Sequence, residues 1–400
     1  MSKPYRIAIA GLGTVGVGVL KILEKHGDEI TRRTGRRFEV VGISARDRNR
    51  DRGVDLSRYE WADNPASLAA MDCDAVVELI GGAEGIANEL AVSTLKSGKA
   101  FVTANKALLA HHGHTLAEFA DAHDTVLMYE AAVAGGIPII KALREGFAAN
   151  RISNVYGIMN GTCNFILTEM QRTGRDFDDV LKEAQDKGYA EVDPSFDIDG
   201  IDTAHKLCIL TALSYGVVPD FENITVEGIR NITSTDIAFA GELGYRIKLL
   251  GTAKRLNGKI VQVVAPCLVP ESSPIAAVDG SFNAVFAEGD FVGHSLSIGR
   301  GAGEGPTASA VVADLIDLAR GSRLPVFGMS ADDLDQADWA APGEMVSHFY
   351  MHLVATDQPG VLADLRLHLH ALTAQRVPDL PPVVAPACRR AGGIAAQTCE

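Results

Sequence analysis

Tyr5-Arg6-Ile7-Ala8-Ile9-Ala10-Gly11-Leu12-Gly13-Thr14-Val15-Gly16 decides the fold. Tyr5 to Ala10 reads as a short buried strand, and Val17 to about His26 reads as a helix. Between them lies a G-x-G-x-x-G turn, and strand–turn–helix is the context in which that motif binds a dinucleotide. Gly11 permits the tight turn, Gly13 lets the backbone approach a pyrophosphate, and Gly16 lets helix and strand pack closely. The intervening Leu12, Thr14 and Val15 complete the loop, and the helix N-terminus offers free N–H groups and a positive dipole end to phosphate. The next strand, Phe38 to Ile43, runs into Ser44-Ala45-Arg46-Asp47. An NAD-selective site places an acid at that strand end for the ribose diol. Ser44 and Arg46 come first here and suit a 2′-phosphate, although Asp47 keeps NAD open beside NADP.

The alternation continues outward from that unit. Ala75 to Ile80 reads as a strand ending at Gly81-Gly82, Glu84 to Lys96 as a helix, and Ala100 to Thr103 as a strand ending at Ala104-Asn105-Lys106. Such repetition predicts an α/β fold with a Rossmann-type, doubly wound parallel sheet. Its ligands sit at the carboxyl ends of the strands, where Gly81, Thr103 and Lys106 fall. Lys106 also reads simply as a surface lysine at a helix start.

The middle of the chain carries the candidate chemistry. After a strand Val126 to Tyr129, Glu130-Ala131-Ala132-Val133-Ala134-Gly135-Gly136-Ile137-Pro138 is a small-residue turn before a helix, Ile139 to Phe147. Its carbonyls suit either a monovalent cation or a plain structural turn. Asn160-Gly161-Thr162-Cys163-Asn164 and Gly188-Tyr189-Ala190-Glu191-Val192-Asp193-Pro194 follow, the latter leading through Asp197, Asp199 and Gly200 into a helix, Ile201 to about Tyr215. Asp202 and Lys206 lie four apart on that helix and share one face. A surface pair of this kind is worth only a few tenths of a kcal/mol. Leu207, Cys208, Ile209, Leu210 and Ala212, however, make the helix apolar almost all round and therefore buried, so a charged pair there needs a reason. Five carboxylates lie between Glu191 and Asp202, a set able to receive an ammonium group and to tune Lys206. A rival reading takes Cys163 as the nucleophile of a phosphorylating aldehyde dehydrogenase, but such an enzyme needs a base near the thiol. No motif places His123 or His205 there, and a small packed residue is the simpler reading. A non-catalytic nucleotide-sensing protein is a second rival, against which the charge density around Lys206 argues.

Taken as a set, the G-L-G-T-V-G start, T-A-N-K at 103–106, E-A-A-V-A-G-G-I-P at 130–138, N-G-T-C-N-F at 160–165, G-Y-A-E-x-D-P at 188–194 and D-x-x-G-x-D-x-x-x-K at 197–206 resemble the homoserine dehydrogenase family. So does Arg300-Gly301-Ala302-Gly303-Glu304-Gly305-Pro306-Thr307-Ala308, and the likeness spans residues 1 to about 362. The resemblance implies reduction of L-aspartate 4-semialdehyde to L-homoserine with NADPH or NADH, on the route to threonine, methionine and isoleucine. By the same resemblance Lys206 is the proton donor, Glu191 and Asp202 bind the amino-acid part and the reacting hydroxyl, and Lys106 stands near nicotinamide and substrate. Asp197, Gly188, Tyr189, Thr162 and Asn160 belong to the implied substrate site. The carbonyls of Glu130, Val133, Gly135 and Ile137 are implied to hold sodium, and the Gly301–Thr307 loop, with Gly303, Glu304 and Thr307, to close over the cofactor. The chemistry agrees: hydride addition to an aldehyde leaves an alkoxide, and a protonated lysine supplies both charge and proton.

These readings predict a dinucleotide-binding domain over 1–135, a substrate and dimerisation domain over 136–300, and a return to the first domain over 301–340. From 347 to 400 the strand, D-x-P-G turn and helix start resemble the ACT regulatory module of the family, but the pattern dissolves after about 365 into Pro378, Pro381, Pro382 and Pro386. The expectation is an incomplete, degenerate ACT-like tail, which puts threonine feedback in doubt. A net charge of −14 disfavours nucleic-acid and anionic-membrane partners. Six scattered cysteines without a C-x-x-C pair suit a reducing cytoplasm, and no apolar run is long enough to span a bilayer. A homodimer is the assembly the family likeness implies.

Overall fold

The computed structural model describes residues 3–341 together with 344, 345, 350, 360, 385 and 386. The expected ACT-like tail therefore lies almost wholly outside the described residues. Strand β1 (Tyr5–Ala10) buries every residue but Arg6 and feeds through the glycine turn into α1 (Thr14–Thr34). That helix outruns the expected end near His26. Gly27 costs it about 1 kcal/mol relative to alanine, but Ile30 reaches the core and Gly35, at φ +74°, caps the end by donating its N–H to Thr31.

The nucleotide-binding half continues as β2 (Phe38–Ser44), β3 (Glu60–Trp61), β4 (Ala75–Glu78), α2 (Ile86–Lys96), β5 (Ala100–Thr103), α3 (Lys106–Ala122) and β6 (Leu127–Met128). All six strands are parallel, in the order β3-β2-β1-β4-β5-β6. β4 and β5 are buried throughout, as befits strands covered by helices on both faces. The order reverses direction between β1 and β4, and the crevice at their carboxyl ends is where such sheets bind ligands.

The chain then builds a second, mixed sheet. Helix α4 (Ile139–Lys141) widens into a π-helical turn over Ala142–Gly146 and leads to β7 (Ile152–Ile158). Helices α5 (Gly161–Thr173), α6 (Phe177–Asp186), α7 (Ser195–Ile198) and α8 (Ile201–Tyr215) follow, then β8 (Thr225–Val226) and α9 (Ser234–Glu242). Strands β9 (Tyr245–Leu256), β10 (Lys259–Pro270), β11 (Phe282–Gly289), β12 (Gly293–Arg300) and the short β13 (Ala385–Pro386) complete the sheet in the order β12-β11-β7-β9-β10-β13, with β8 beside β10. Asn257 at φ +50° and Gly258 at φ +93° form the tight turn of the β9–β10 hairpin. Asn-Gly is the strongest short hairpin signal, and it joins two strands of twelve residues each.

α8 buries thirteen of its fifteen residues, Asp202 and Lys206 among them. Finally α10 (Glu304–Ala319) returns to the first sheet and lies on α1. The close approach occurs at Gly18, where a Cβ would sit 2.9 Å from Ala308 Cβ and Glu304 Cγ.

Candidate active site

Gly11 sits at φ +98°, with its N–H donated to Ser44 O at 2.8 Å. A Cβ there would lie 2.4 Å from the Leu79 carbonyl, and one on Gly16 would lie 2.0 Å from the Gly11 carbonyl. Gly13 differs: its φ is −78° and nothing lies within 4 Å of its Cβ position. Thr14 and Val15 open α1, and no side chain caps that helix. Backbone packing thus accounts for two of the glycines, while the third borders open space at an uncapped helix N-terminus, as a pyrophosphate cradle requires.

The floor of the crevice is tied by a buried acid. Glu78, at the end of β4, accepts from the N–H groups of Ile80 (2.6 Å) and Gly81 (2.9 Å) and from Thr103 Oγ1 (2.6 Å). Asn105 caps α3 through Leu108 N and donates to Gly82 O at 2.6 Å. The Thr103 hydroxyl is therefore spent inside the protein. Ser44 is likewise turned inward, its hydroxyl on Ala62 O, whereas Arg46 is exposed at the end of β2 and Leu12 O accepts from Arg52 Nε at 2.9 Å.

Lys106, the first residue of α3, crosses to the second half of the molecule. A lysine at a helix N-terminus opposes the helix dipole, and its partner explains its place: Nζ lies 3.3 Å from Asp202 Oδ1. Lys206 Nζ donates to Asp202 Oδ2 and to Met159 O, both at 2.7 Å. Asn160 organises the rest. Its Oδ1 caps α5 by accepting from Cys163 N at 2.8 Å, and its Nδ2 lies 2.8 Å from both Asp202 Oδ2 and Asp197 Oδ1. Thr162 Oγ1 stands 2.7 Å from Tyr189 O and 3.1 Å from Asp197 Oδ2.

Burial alone would raise the Asp202 carboxyl, but Lys206, Lys106 and Asn160 outweigh it and hold the group at about 2. Burial, then the charge of Asp202, raises Asp197. Two ammonium groups and two carboxylates thus share one site between the sheets. A buried pair of this kind costs desolvation and is weak evidence for stability; such clusters are where catalytic groups are tuned.

A family match decides what this cluster belongs to. The family described as "Homoserine dehydrogenase" matches residues 138–316, and "Homoserine dehydrogenase, NAD binding domain" matches residues 11–130. The chain belongs to the homoserine dehydrogenase family. The homoserine dehydrogenase of Pseudomonas aeruginosa is 46% identical over 374 residues, covering 91% of this chain and 85% of that relative. The Neisseria gonorrhoeae enzyme is 45% identical over 369 residues, again covering 91% and 85%. A crystal structure of a homoserine dehydrogenase from Thiobacillus denitrificans matches with a TM-score of 0.85 at 45% identity, over 92% of this chain and 87% of that one. A hyperthermophilic archaeal homoserine dehydrogenase, solved in complex with NADPH, matches at 0.67 and 28% identity, over 79% and 97%. The fold and the reaction class follow: a homoserine dehydrogenase is an NAD(P)-linked oxidoreductase that acts on a CH–OH group in amino-acid biosynthesis.

Set against the homoserine dehydrogenase motifs, the structure brings Lys206, Asp202, Lys106, Asn160, Thr162 and Asp197 together. Glu191 stands apart, exposed in the loop after Gly188 (φ +72°) and beside a Tyr189 that is 46% exposed. The turn holding Glu130, Val133, Gly135 and Ile137 is buried, with Ala134 at φ +53° and Gly135 at φ +33°. It is fastened to the returning loop through Gly136 N on Arg300 O at 2.8 Å. In that loop Gly303 has φ +115°, Glu304 pairs with Lys21 at 2.8 Å, and Thr307 Oγ1 would meet a Cβ on Gly135 at 3.3 Å. Cys163 is fully buried, donates to Asp197 O at 3.2 Å, and has its thiol held well above the ordinary value by burial. With no histidine among its partners, it packs rather than attacks.

Sequence reasoning missed Asn105, Glu78, Arg52 and a histidine pair. His205 Nε2 lies 3.3 Å from His111 Nε2, and the His205 ring stacks on Phe221 at 4.6 Å. Burial, then His111 and Lys106, pushes His205 down to about 4, so it is neutral beside the two lysines.

Proposed function

We propose that this chain reduces L-aspartate 4-semialdehyde to L-homoserine with NADPH, with Lys206 as the proton donor. The observation that carries the reading is the buried Lys206–Asp202 pair, bridged by the half-buried Lys106, between the carboxyl ends of the parallel sheet and the second sheet. When bound, the reduced nicotinamide supplies the hydride. Addition to the aldehyde carbon sends the carbonyl electron pair to oxygen, and Lys206 Nζ gives that oxygen its proton. Asp202 keeps the Lys206 ammonium oriented, and Lys106 adds a second positive charge facing the developing alkoxide. Asp197 and Glu191 receive the α-ammonium of the substrate, Glu191 by closing in from its exposed loop; Gly188 and Tyr189 belong to that loop.

NADP preference is supported by exposed Arg46 and Arg48 where a ribose-binding acid would otherwise stand. Gly11 to Gly16, Gly81, Lys106, Gly303, Glu304 and Thr307 are proposed to line the cofactor path, whereas Thr103, fully buried with its hydroxyl on Glu78, supports that path from beneath and does not touch the cofactor. The test is loss of NADPH absorbance with the semialdehyde, with NADH in parallel. Turnover is expected with both and more efficiently with NADPH; no turnover with either, in protein shown to bind NADPH, sinks the reading.

A sodium ion is proposed at the carbonyls of Glu130, Val133, Gly135 and Ile137, supported by two successive residues at positive φ in a buried turn. A homodimer is proposed through the second sheet, on the face that carries Tyr156 stacked on Phe286 (4.6 Å) and Ile298, 54% exposed. Full activity in sodium-free choline buffer, or sedimentation as a monomer, removes the respective proposal. A cytoplasmic site of action is proposed on four buried free cysteines, Cys73, Cys163, Cys208 and Cys267. The domain limits 1–135, 136–300 and 301–340 are retained as the proposed division, supported by α10 lying on α1.

A further inference from the structure

The ladder between β7 and β11 ends with Ile158 opposite Ala284, one residue short of Met159 and Asn283. At that point a side chain takes over from the backbone. Asn283 Nδ2 donates to the Met159 carbonyl oxygen at 3.0 Å. That oxygen is the same one that accepts from Lys206 Nζ at 2.7 Å. Asn283 is 1% exposed, and its Oδ1 is buried with no hydrogen-bond partner among the described residues. An unpaired buried amide oxygen costs stability, so the residue is not explained by its own hydrogen bonding. Its amide also packs against Gly301, where a Cβ would lie 2.0 Å from Nδ2 and 2.4 Å from Oδ1.

A lysine ammonium has three N–H donors. On Lys206 one is given to Met159 O and one to Asp202 Oδ2. The direction of the third follows from where those two acceptors stand. Asp202 is held by Asn160 and Lys106. The Met159 carbonyl, released from the ladder, is held by Asn283.

We infer that Asn283 is a positioning residue for Lys206: it fixes the Met159 carbonyl and thereby aims the remaining N–H of the proton donor at the substrate oxygen. Through Gly301 it also ties that aim to the start of the returning loop, so that loop and proton donor share one support. The inference rests on Lys206 being the donor, and Lys206→Ala, measured alongside, separates failure of that reading from failure of this one.

The test measures kcat, KM and NADPH affinity across pH for wild type, Asn283→Ala and Asn283→Asp. Asn283→Ala is expected to lose roughly ten- to hundredfold in kcat, with KM and NADPH affinity within about twofold, as misaligned proton transfer does. Asn283→Asp keeps the shape but, ionised, has no donor for the Met159 carbonyl and puts a negative charge close to Lys206, so kcat falls as in Asn283→Ala and the alkaline limb of kcat for reduction moves upward by roughly 1 unit. The other charged and titratable groups facing Lys206 (Asp202, Lys106, Asp197, His205 and Cys163) are unchanged in that variant, which isolates the added charge. A residue that merely supported the fold would lower the active fraction without moving the limb. If Asn283→Ala fails to fold, the limb of Asn283→Asp decides. Asn283 variants with wild-type kcat, or an Asn283→Asp limb that stays in place, overturn the inference when wild type turns over and Lys206→Ala does not.

Discussion

Lys206→Ala is expected to reduce the semialdehyde roughly 10²- to 10⁴-fold more slowly than wild type, the usual cost of losing a positioned general acid. NADPH is expected to bind as before, because Lys206 lies on α8 in the second half, away from the glycine loop. The loss is larger than that of an ordinary ion-pair deletion because two effects coincide. The alkoxide loses both its proton source and the nearer of two positive charges. Asp202 meanwhile keeps only Lys106 and Asn160 as partners in a buried site. Its carboxyl, held at about 2 in the intact site against an ordinary 3.8, then rises toward or past its usual value. In wild type, that lowered carboxyl contributes stability above pH about 3.8 which is lost as pH falls through about 2. In the variant this contribution shrinks toward zero as the carboxyl approaches 3.8, and becomes a destabilisation above that pH if the carboxyl rises past it. Steady-state rates and a fluorescence titration with NADPH check the prediction; a variant with near-normal turnover removes Lys206 from its role.

The second large effect separates two neighbouring glycines. Gly11→Ala is expected both to destabilise the protein and to abolish NADPH binding. A non-glycine residue at φ +98° costs roughly 1–2 kcal/mol in backbone strain alone, and its Cβ would also strike the Leu79 carbonyl at 2.4 Å. Leu79 follows β4 directly and its N–H is bonded to Ala10 O at 2.7 Å, so it cannot retreat without opening the β1–β4 pairing. Gly13→Ala meets neither obstacle. It is expected to melt like wild type while losing NADPH affinity, because its Cβ occupies the space a pyrophosphate needs. Thermal melts and NADPH titrations of the pair read the contrast. Wild-type NADPH affinity in Gly13→Ala would show that the phosphates lie elsewhere.

How much of this was legible in the sequence depended on contact range. The glycine turn, the alternating strands and helices, and the Asp202–Lys206 pair are local patterns written over a few residues, and each stands where the sequence put it. The end of α1 was misjudged because Gly27 is a local breaker that tertiary contacts at Ile30 override. Asn160 and Thr103 are named by the sequence motifs, but the contacts through which they and Asn283 hold the site together are not legible there, for a different reason. Asn160 meets Asp202 across 42 positions, Thr103 meets Glu78 across 25, and Asn283 meets Met159 across 124. No periodicity or spacing rule relates such residues; only the packed sheets bring them together. Ser44 shows the converse error. Its place at the end of β2 suggested a 2′-phosphate contact, but its hydroxyl is turned to Ala62.

The return of α10 to α1 has a consequence for how the molecule is made. Glu304 reaches Lys21 across 283 positions of chain, and Ala308, Val311 and Leu315 share a core with Ile7 and Ile9 of β1. During synthesis the amino-terminal strands leave the ribosome long before the segment that covers them. Until α10 arrives, the Gly18 face of α1 and one side of the parallel sheet present bare apolar surface. The cofactor half is thus completed only after strands β7 to β12 of the second sheet have been translated, and through that interval its apolar face is open to wrong partners.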